Sequence, residues 1–339
     1  MKKVILSFDY ELFFGTLSGT VQKTLIDPTN ALLEAMESVN LKGNFFVDWQ
    51  MLKYIGAERD ERCREDYRMI VNQLKDIIHR GHRIELHIHP HWVDAKYNGN
   101  GTWDFSDFSH YSLNSFSEDE ITQMFIEGSQ LLTSIAQEVS PNYKICAFRA
   151  GGWAVQPFSK LKKGFLSTGI VVDSSTAFGF HNVLPDSFYD FSNMPHKSIY
   201  RFNDDVCNDD GGTFIEVPIT TYRMTFLNYL QYKLLQKKYV GYQKRLTDGT
   251  HDRKQIGRGE QKSVVSRFLD RFRRYRMLTF SQEYPFITNS FIRHSSLEYY
   301  CFIDHPKDLS KFTTTSIVQL GQKGYTCCSY WDVVCDKVI

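Results

Sequence analysis

Short apolar runs alternate with helix-length amphipathic stretches through most of the 339 residues, and this alternation limits the fold more than any other feature. The runs at 4–8, 44–47, 84–88, 145–148, 170–172, 213–217 and 299–303 are too short for stable helices and read as strands, with 325–329 a further candidate. Between them, 28–39, 66–80 and 118–139 carry apolar positions at helical spacing. Asp27 and Pro28 mark one helix start, Gly81 marks a stop, and Ser117 with Glu120 has the spacing of a capping box. Alternation of this kind builds a parallel sheet, because parallel neighbours need a crossover between them. About seven such units predict an α/β fold of the (β/α) barrel type, seven-stranded or otherwise irregular and TIM-like, spanning 1–339 as a single unit. An open doubly wound sheet would present its residues in the same way.

In either architecture functional groups gather at the carboxyl ends of strands. Asp9 and Glu11 end the first run, and His87, His89 and His91 close the third. Arg149, Asp173, and Asp304 with His305 follow later ones. Three of the 11 histidines fall in the hexapeptide Leu86-His87-Ile88-His89-Pro90-His91. Alternate strand residues share a face, so His87 and His89 can point the same way. Neutral imidazole and carboxylate are common ligands of zinc and related ions. Metal-assisted hydrolysis needs this inventory: ligands that leave coordination positions open, a carboxylate to take a proton from water, and an acid to return one to the leaving group. Arg149 stands just before Gly151-Gly152, where a backbone without side chains can approach a site closely.

Composition narrows the classes. Hydrophobic content of 42% and charge of 23% are those of a folded globular chain. The aromatic share of 15% suits a core and also supplies flat platforms for sugar rings. Seven cysteines form no CxxC pair, which points to free thiols in a reducing compartment. No signal-type segment and no apolar run of about 18 residues occurs, so a cytoplasmic protein is expected. No G-x-S-x-G, P-loop or dinucleotide fingerprint is present. Asp204, Asp205, Asp209 and Asp210 lack the spacing of a calcium loop and read as a polar turn.

One segment departs from the rest. From 223 to 276 there are 15 Lys and Arg against 4 Asp and Glu, a net of +11 in a chain of net +1. Helical stretches at 226–239 and 264–277 flank a middle rich in Gly and charge. This predicts a basic helical insertion, 223–290, between barrel strands. It offers a docking surface for an anion: a phosphate group on the substrate, or an anionic membrane surface at which the protein would be peripheral. Arg267, Arg271 and Arg274 recur at helical spacing beside Phe268 and Phe272, the pattern of an interfacial helix. Nucleic acid is not expected, since no recognition fold accompanies the charge.

Five motifs occur in order between residues 4 and 308: Ser7-Phe8-Asp9-Tyr10-Glu11, Gly81 to Trp92, Phe148-Arg149-Ala150-Gly151-Gly152-Trp153, Asp173-Ser174-Ser175, and Ile303-Asp304-His305-Pro306-Lys307. Together they resemble the motifs of the NodB-type polysaccharide deacetylases, carbohydrate esterase family 4 in the broad sense. The divergent branch found in bacterial surface-polysaccharide clusters is the better match. The resemblance implies removal of an acetyl group from a sugar, a nucleotide- or lipid-linked precursor of surface polysaccharide. It implies one divalent ion, zinc first, with cobalt, nickel or manganese as alternatives. Asp9 would be the base and His305 the acid, with Arg149 and Asp173 fixing the charges around them. Glu11 would be a metal ligand, although the family's usual ligand is an aspartate adjacent to the base. The family's common histidine spacing selects His87 and His91, and the divergent form selects His87 and His89. Tyr10, Trp92 and Trp153 would line the sugar cleft by adjacency to the motifs. Two rivals remain: a cyclic amide or imide hydrolase on the same fold, and a non-catalytic barrel that binds glycans or polyanions.

Overall fold

In a computed structural model, which describes residues 2–184, 187–235, 239, 241–250 and 270–335, the first strand, β1 (Lys3–Tyr10), is buried from Val4 onward. A strand covered on both faces is what a parallel sheet flanked by helices requires. The rest of the main sheet comprises β2 (Gly43–Asp48), β3 (Arg83–Ile88), β4 (Ala147–Ala150), β5 (Val172–Asp173), β6 (Tyr200–Phe202), β7 (Phe214–Glu216), β8 (Tyr299–Asp304) and β9 (Thr326–Cys327). The order is β6-β7-β5-β4-β3-β2-β1-β8. All strands from β7 to β8 run parallel, and β6 is antiparallel to β7. The short β9 pairs with Lys3 and Val4, on the stretch of β1 that precedes its pairing with β2 at Leu6.

The sheet curls. Ile5, Phe46, Ala147, Val172, Ile215, Cys301 and Tyr330 meet in one buried cluster, so the inner faces of β1, β2, β4, β5, β7 and β8 close round a common interior. The irregular (β/α) barrel expected from the sequence is therefore an open, curled half-barrel. Among the described residues no ladder joins the two ends of the sheet. Single hydrogen bonds do: the Thr220 N–H donates to the Cys301 carbonyl at 3.0 Å, and the Cys301 N–H donates to Thr220 Oγ1 at 2.9 Å.

Helices cover the outer face: α1 (Asp27–Glu37), α2 (Trp49–Ala57), α3 (Glu61–His79), α4 (Glu118–Gln137) and α5 (Ser159–Thr168). The Ser117–Glu120 capping box opens α4 as expected. α3 begins earlier than its apolar period suggests, because Asp60 accepts the Arg62 N–H at 2.8 Å and caps it. α2 was not foreseen. It follows β2 without a loop and buries Trp49, Gln50, Met51, Leu52 and Ile55, a pattern with little helical period to read.

The basic segment is flanked by a short antiparallel strand pair, Thr221–Arg223 with Tyr275–Met277. A strand therefore ends this segment where the sequence predicted a helix to 277. The helix α6 (Phe226–Leu235) starts where expected. Residues 251–269, with Arg267 and Phe268 among them, lie outside the described residues. α7 (Pro285–His294), α8 (Lys311–Gly321) and α9 (Tyr330–Cys335) complete the described helices named here.

Candidate active site

Alternation along the strands decides which side chains enter the curl. Ile5 lies in the interior cluster, so Ser7 and Asp9, two and four residues on, face the same way. Phe46 brings Asp48 with it, and Ala147 brings Arg149. Register then sets Asp48 of β2 beside His87 of β3, and His87 beside Arg149 of β4. Four strand ends thus deliver their polar groups to one mouth, with His305 arriving from the end of β8.

The distances show how the groups meet. Arg149 is wholly buried, and its Nη1 lies 2.6 Å from Asp9 Oδ1. Its remaining donors go to Ser7 Oγ, the Ser174 carbonyl and hydroxyl, and the Tyr330 hydroxyl, and the guanidinium stacks 4.1 Å above the Phe46 ring. His305 Nε2 stands 3.6 Å from Asp9 Oδ2 and 3.6 Å from Glu11 Oε1. His87 Nε2 lies 3.2 Å from Glu11 Oε2, while its Nδ1 lies 2.9 Å from the Arg149 carbonyl. Glu11 has a second partner: Lys307 Nζ is 2.8 Å from Oε1. His305 is 24% exposed in its side chain, whereas Asp9, Glu11, His87, His89, His91 and Lys307 are buried, so His305 forms the solvent side of the cluster.

The charges follow from this packing. Burial works to raise Glu11, but Lys307 and His87 overcome it and hold the carboxyl well below its usual range. Burial works to lower His87, but the bond to Glu11 and the nearby Asp9, Glu11 and Asp48 raise it. Burial and Lys307 lower His305 despite Asp9 and Glu11. Burial drives His91 down to about 3 and His89 well below the ordinary histidine value.

His89 and His91 face each other, Nδ1 to Nδ1 at 2.7 Å, inside a cage of Phe14, Phe105 and Tyr111 rings. His89 Nε2 is buried with no hydrogen-bond partner among the described residues. Gly151 lets the next strand's loop approach: a Cβ there would sit 2.4 Å from His89 Cγ. This is the close approach that the glycine pair beside Arg149 suggested.

The donors suit a divalent ion in kind. Ligands about 2.0 Å from one tetrahedral ion stand about 3.3 Å apart, close to the Glu11–His87 separation. His87 donates its Nδ1–H to a backbone carbonyl and turns its Nε2 inward, the usual outer-shell arrangement of a metal-bound imidazole. The His89 Nε2 is a buried nitrogen in want of a partner. Among the described residues, however, no three His, Cys, Asp or Glu side chains close round one point. Lys307 holds one oxygen of Glu11, and His89 and His91 hold each other.

Three sequence assignments need correction. Tyr10 alternates with Asp9 and so faces outward, where its hydroxyl donates to Gln73 Oε1 of α3 at 2.8 Å; it lines no cleft. Trp92 is buried, and its Nε1–H donates to Asp48 Oδ2 at 2.7 Å. Asp173 aligns with Phe148 and Glu216, on the helix side of the sheet, and accepts from Ser175 N–H and Oγ. The residue just after β5 that turns inward to Arg149 is Ser174. Trp153 remains half-buried against Tyr189 and Phe180. Asp304 is consumed by the N–H groups of Phe280, Ser281 and His305.

Two site residues were missed. Asp48 follows the apolar run 44–47 directly, so the strand-end rule would have found it; burial pushes its carboxyl up to about 7. Lys307 closes the fifth motif, but nothing in its sequence position assigned it a role. The basic segment also makes contacts that its sequence did not announce. Its stretch 241–250 straps across the site loops: Arg245 pairs with Asp308 at 2.8 Å, Thr247 Oγ1 donates to the Lys307 carbonyl, and Asp248 accepts from Thr20 and Thr24.

No protein-family model matches the chain, and no curated protein matches it in sequence. In structure it is similar to polysaccharide deacetylases. A candidate polysaccharide deacetylase from Mycobacterium smegmatis aligns over 99% of this chain and 89% of its own, at 13% identity and a TM-score of 0.46. The catalytic domain of a peptidoglycan N-acetylglucosamine deacetylase from Eubacterium rectale covers 97% and 88%, at 14% identity and 0.32. A candidate glycoside hydrolase/deacetylase from Parabacteroides distasonis covers 94% of this chain and 64% of its own, at 10% identity and 0.48. These likenesses are faint in sequence and in superposition, and this chain's own side chains carry the functional reading.

Proposed function

We propose that this chain is a metal-dependent carbohydrate deacetylase of the NodB type. The observation that supports it most is the meeting of Asp9, Glu11, His87, Arg149 and His305 at one mouth of the curled sheet. Glu11 and His87 would hold the ion, with His89 as the second imidazole because its Nε2 is the buried nitrogen without a partner. The chemistry such an ion supplies when bound is Lewis-acid polarisation of the acyl oxygen and a lowered pKa for water.

The protein groups supply the rest. Arg149 fixes one oxygen of Asp9 and leaves Oδ2 to take a proton from the attacking water. His305 Nε2 stands 3.6 Å from that oxygen, beyond hydrogen-bond reach as it stands, and a small closing of this gap in the substrate complex would let it receive the proton and pass it to the departing amine or alcohol. Its lowered pKa fits this order, since an imidazole that is neutral at rest acquires its proton within the cycle. Asp308, 3.7 Å from His305 Nδ1, lies on the far side of the ring.

The substrate we propose is an acetylated sugar carried on a nucleotide or lipid, with the basic segment meeting its phosphate or an anionic bilayer. No described helix is long and apolar enough to cross a membrane. The test is acetate release from N-acetylated and O-acetylated sugars, free and pyrophosphate-linked, beside ring opening of cyclic amides and imides. Deacetylation that stops with chelator and returns with added zinc or cobalt is expected. Activity confined to cyclic amides would move the chain to the rival hydrolase class, and glycan binding without turnover would leave a non-catalytic barrel.

A further inference from the structure

Lys307 is 1% exposed, and its ammonium sits between the Glu11 carboxylate at 2.8 Å and the Leu12 carbonyl at 3.0 Å, 4.0 Å above the Phe14 ring. A buried ammonium is strongly unfavourable unless paired, so this position is one the fold maintains. The backbone is fixed from outside. Thr247 Oγ1 bonds the Lys307 carbonyl at 2.7 Å, Arg245 pairs with Asp308, and Leu246 N–H donates to the Leu309 carbonyl. The flexible element is the four-carbon side chain.

Glu11 is therefore divided. One oxygen faces His87, a metal-ligand type, and the other faces an ammonium. Each of the two carboxylates has a buried permanent cation beside it, Arg149 at Asp9 and Lys307 at Glu11. A divalent ion brought to Glu11 would meet a positive charge already bound to the same carboxylate, in a site with little water to screen the repulsion.

We propose that Lys307 is a tethered cation that holds Glu11 when no metal ion does, and that an ion binding at Glu11 must displace it. This rests on the reading that Glu11 and His87 hold the ion. The lysine keeps Glu11 charge-balanced and ordered, and it lowers the site's affinity, so that metal loading depends on moving one side chain.

The test compares zinc and cobalt affinity of the wild type and Lys307→Met by chelator competition, with the cobalt absorption band reporting coordination. Removing the competing charge is expected to tighten binding by at least about tenfold. Binding by Lys307→Met alone, with none by the wild type, would also support the proposal. Equal or weaker binding by Lys307→Met overturns it while leaving the metal reading intact. No binding by either protein overturns both. If Lys307→Met does not fold by circular dichroism, Lys307→Gln replaces it, since the shorter amide keeps a polar donor in the pocket and removes the charge; the same outcomes then decide.

Discussion

Arg149 Nη1 meets Asp9 Oδ1 at 2.6 Å and leaves Oδ2 turned toward His305 Nε2. The two oxygens of one carboxylate are thus given different tasks. One is fixed by a guanidinium whose other donors are spent on Ser7, Ser174 and Tyr330, and the other is left beside a titratable ring. A charge-assisted pair of this kind orients the carboxylate without rotating freely.

Asp9→Asn keeps the shape and removes the proton acceptor. Turnover on an acetylated sugar is expected to fall by at least about a thousandfold, with metal content unchanged by elemental analysis. Glu11→Gln should instead weaken metal binding. A metal-free Asp9→Asn beside a normally metallated Glu11→Gln would exchange the two roles.

His305 is assigned to the leaving group, and leaving groups differ in their need for a proton. His305→Ala should slow amide hydrolysis strongly and slow an activated ester, whose alcohol departs unaided, far less. Rates measured on a matched amide and ester pair decide this. An equal loss on both would make His305 a positioning residue.

Much of this arrangement was legible in the sequence because strands impose a period of two and collect functional groups at their carboxyl ends. That rule located Asp9, His87 and Arg149 without any knowledge of their contacts. The same rule misled at Asp173, where the motif drew attention to a residue one position out of phase with the inward-facing Ser174. Tyr10 and Trp92 were placed by adjacency to the motifs alone, and adjacency misled because neighbours on a strand or tight turn point to different faces. Lys307 was invisible for a different reason: its partner Glu11 is 296 residues away, and only the parallel pairing of β1 with β8 brings them together. Closure did not follow from the strand count, because β7 ends at Glu216 and, among the described residues, the chain beyond it meets β8 through single hydrogen bonds at Thr220 and Leu278 and not through a ladder.

Glu216 offers a pH test away from the chemistry. It is buried on the helix side of β7 in register with Asp173, and burial together with that neighbour holds its carboxyl well above the usual value. With the folded pKa raised, the group's contribution to stability is fully present below an unfolded pKa of about 4.3 and is lost as pH rises toward the folded value. Urea unfolding at pH 5 and pH 8 should show the wild type losing more stability than Glu216→Gln over this interval. Parallel losses in the two proteins would show that Glu216 titrates normally.

The basic segment presents apolar as well as charged surface. Leu227, Leu230 and Leu234 recur along α6 at spacings of three and four, and are 71%, 43% and 80% exposed. Arg271, Arg273 and Arg274 are exposed, with the Arg271 guanidinium 5.6 Å from the Tyr229 ring of α6. A leucine row beside arginines is suited to an anionic bilayer surface, where the apolar part inserts and the cations meet headgroups. The two contributions respond differently to salt, because attraction between exposed charges is screened beyond about 8 Å at physiological ionic strength and burial of leucine is not. Sedimentation with vesicles of mixed neutral and anionic lipid should show binding that falls steeply as salt rises. Replacing Arg271, Arg273 and Arg274 with Gln should weaken binding at low salt and flatten its salt dependence, with metal content unchanged. Replacing Leu227 and Leu234 with Ser should weaken it at every salt concentration. Binding to purely neutral vesicles as tight as to anionic ones, or no loss in the triple arginine variant, would leave the segment as a solvated brace for the strap at 241–250.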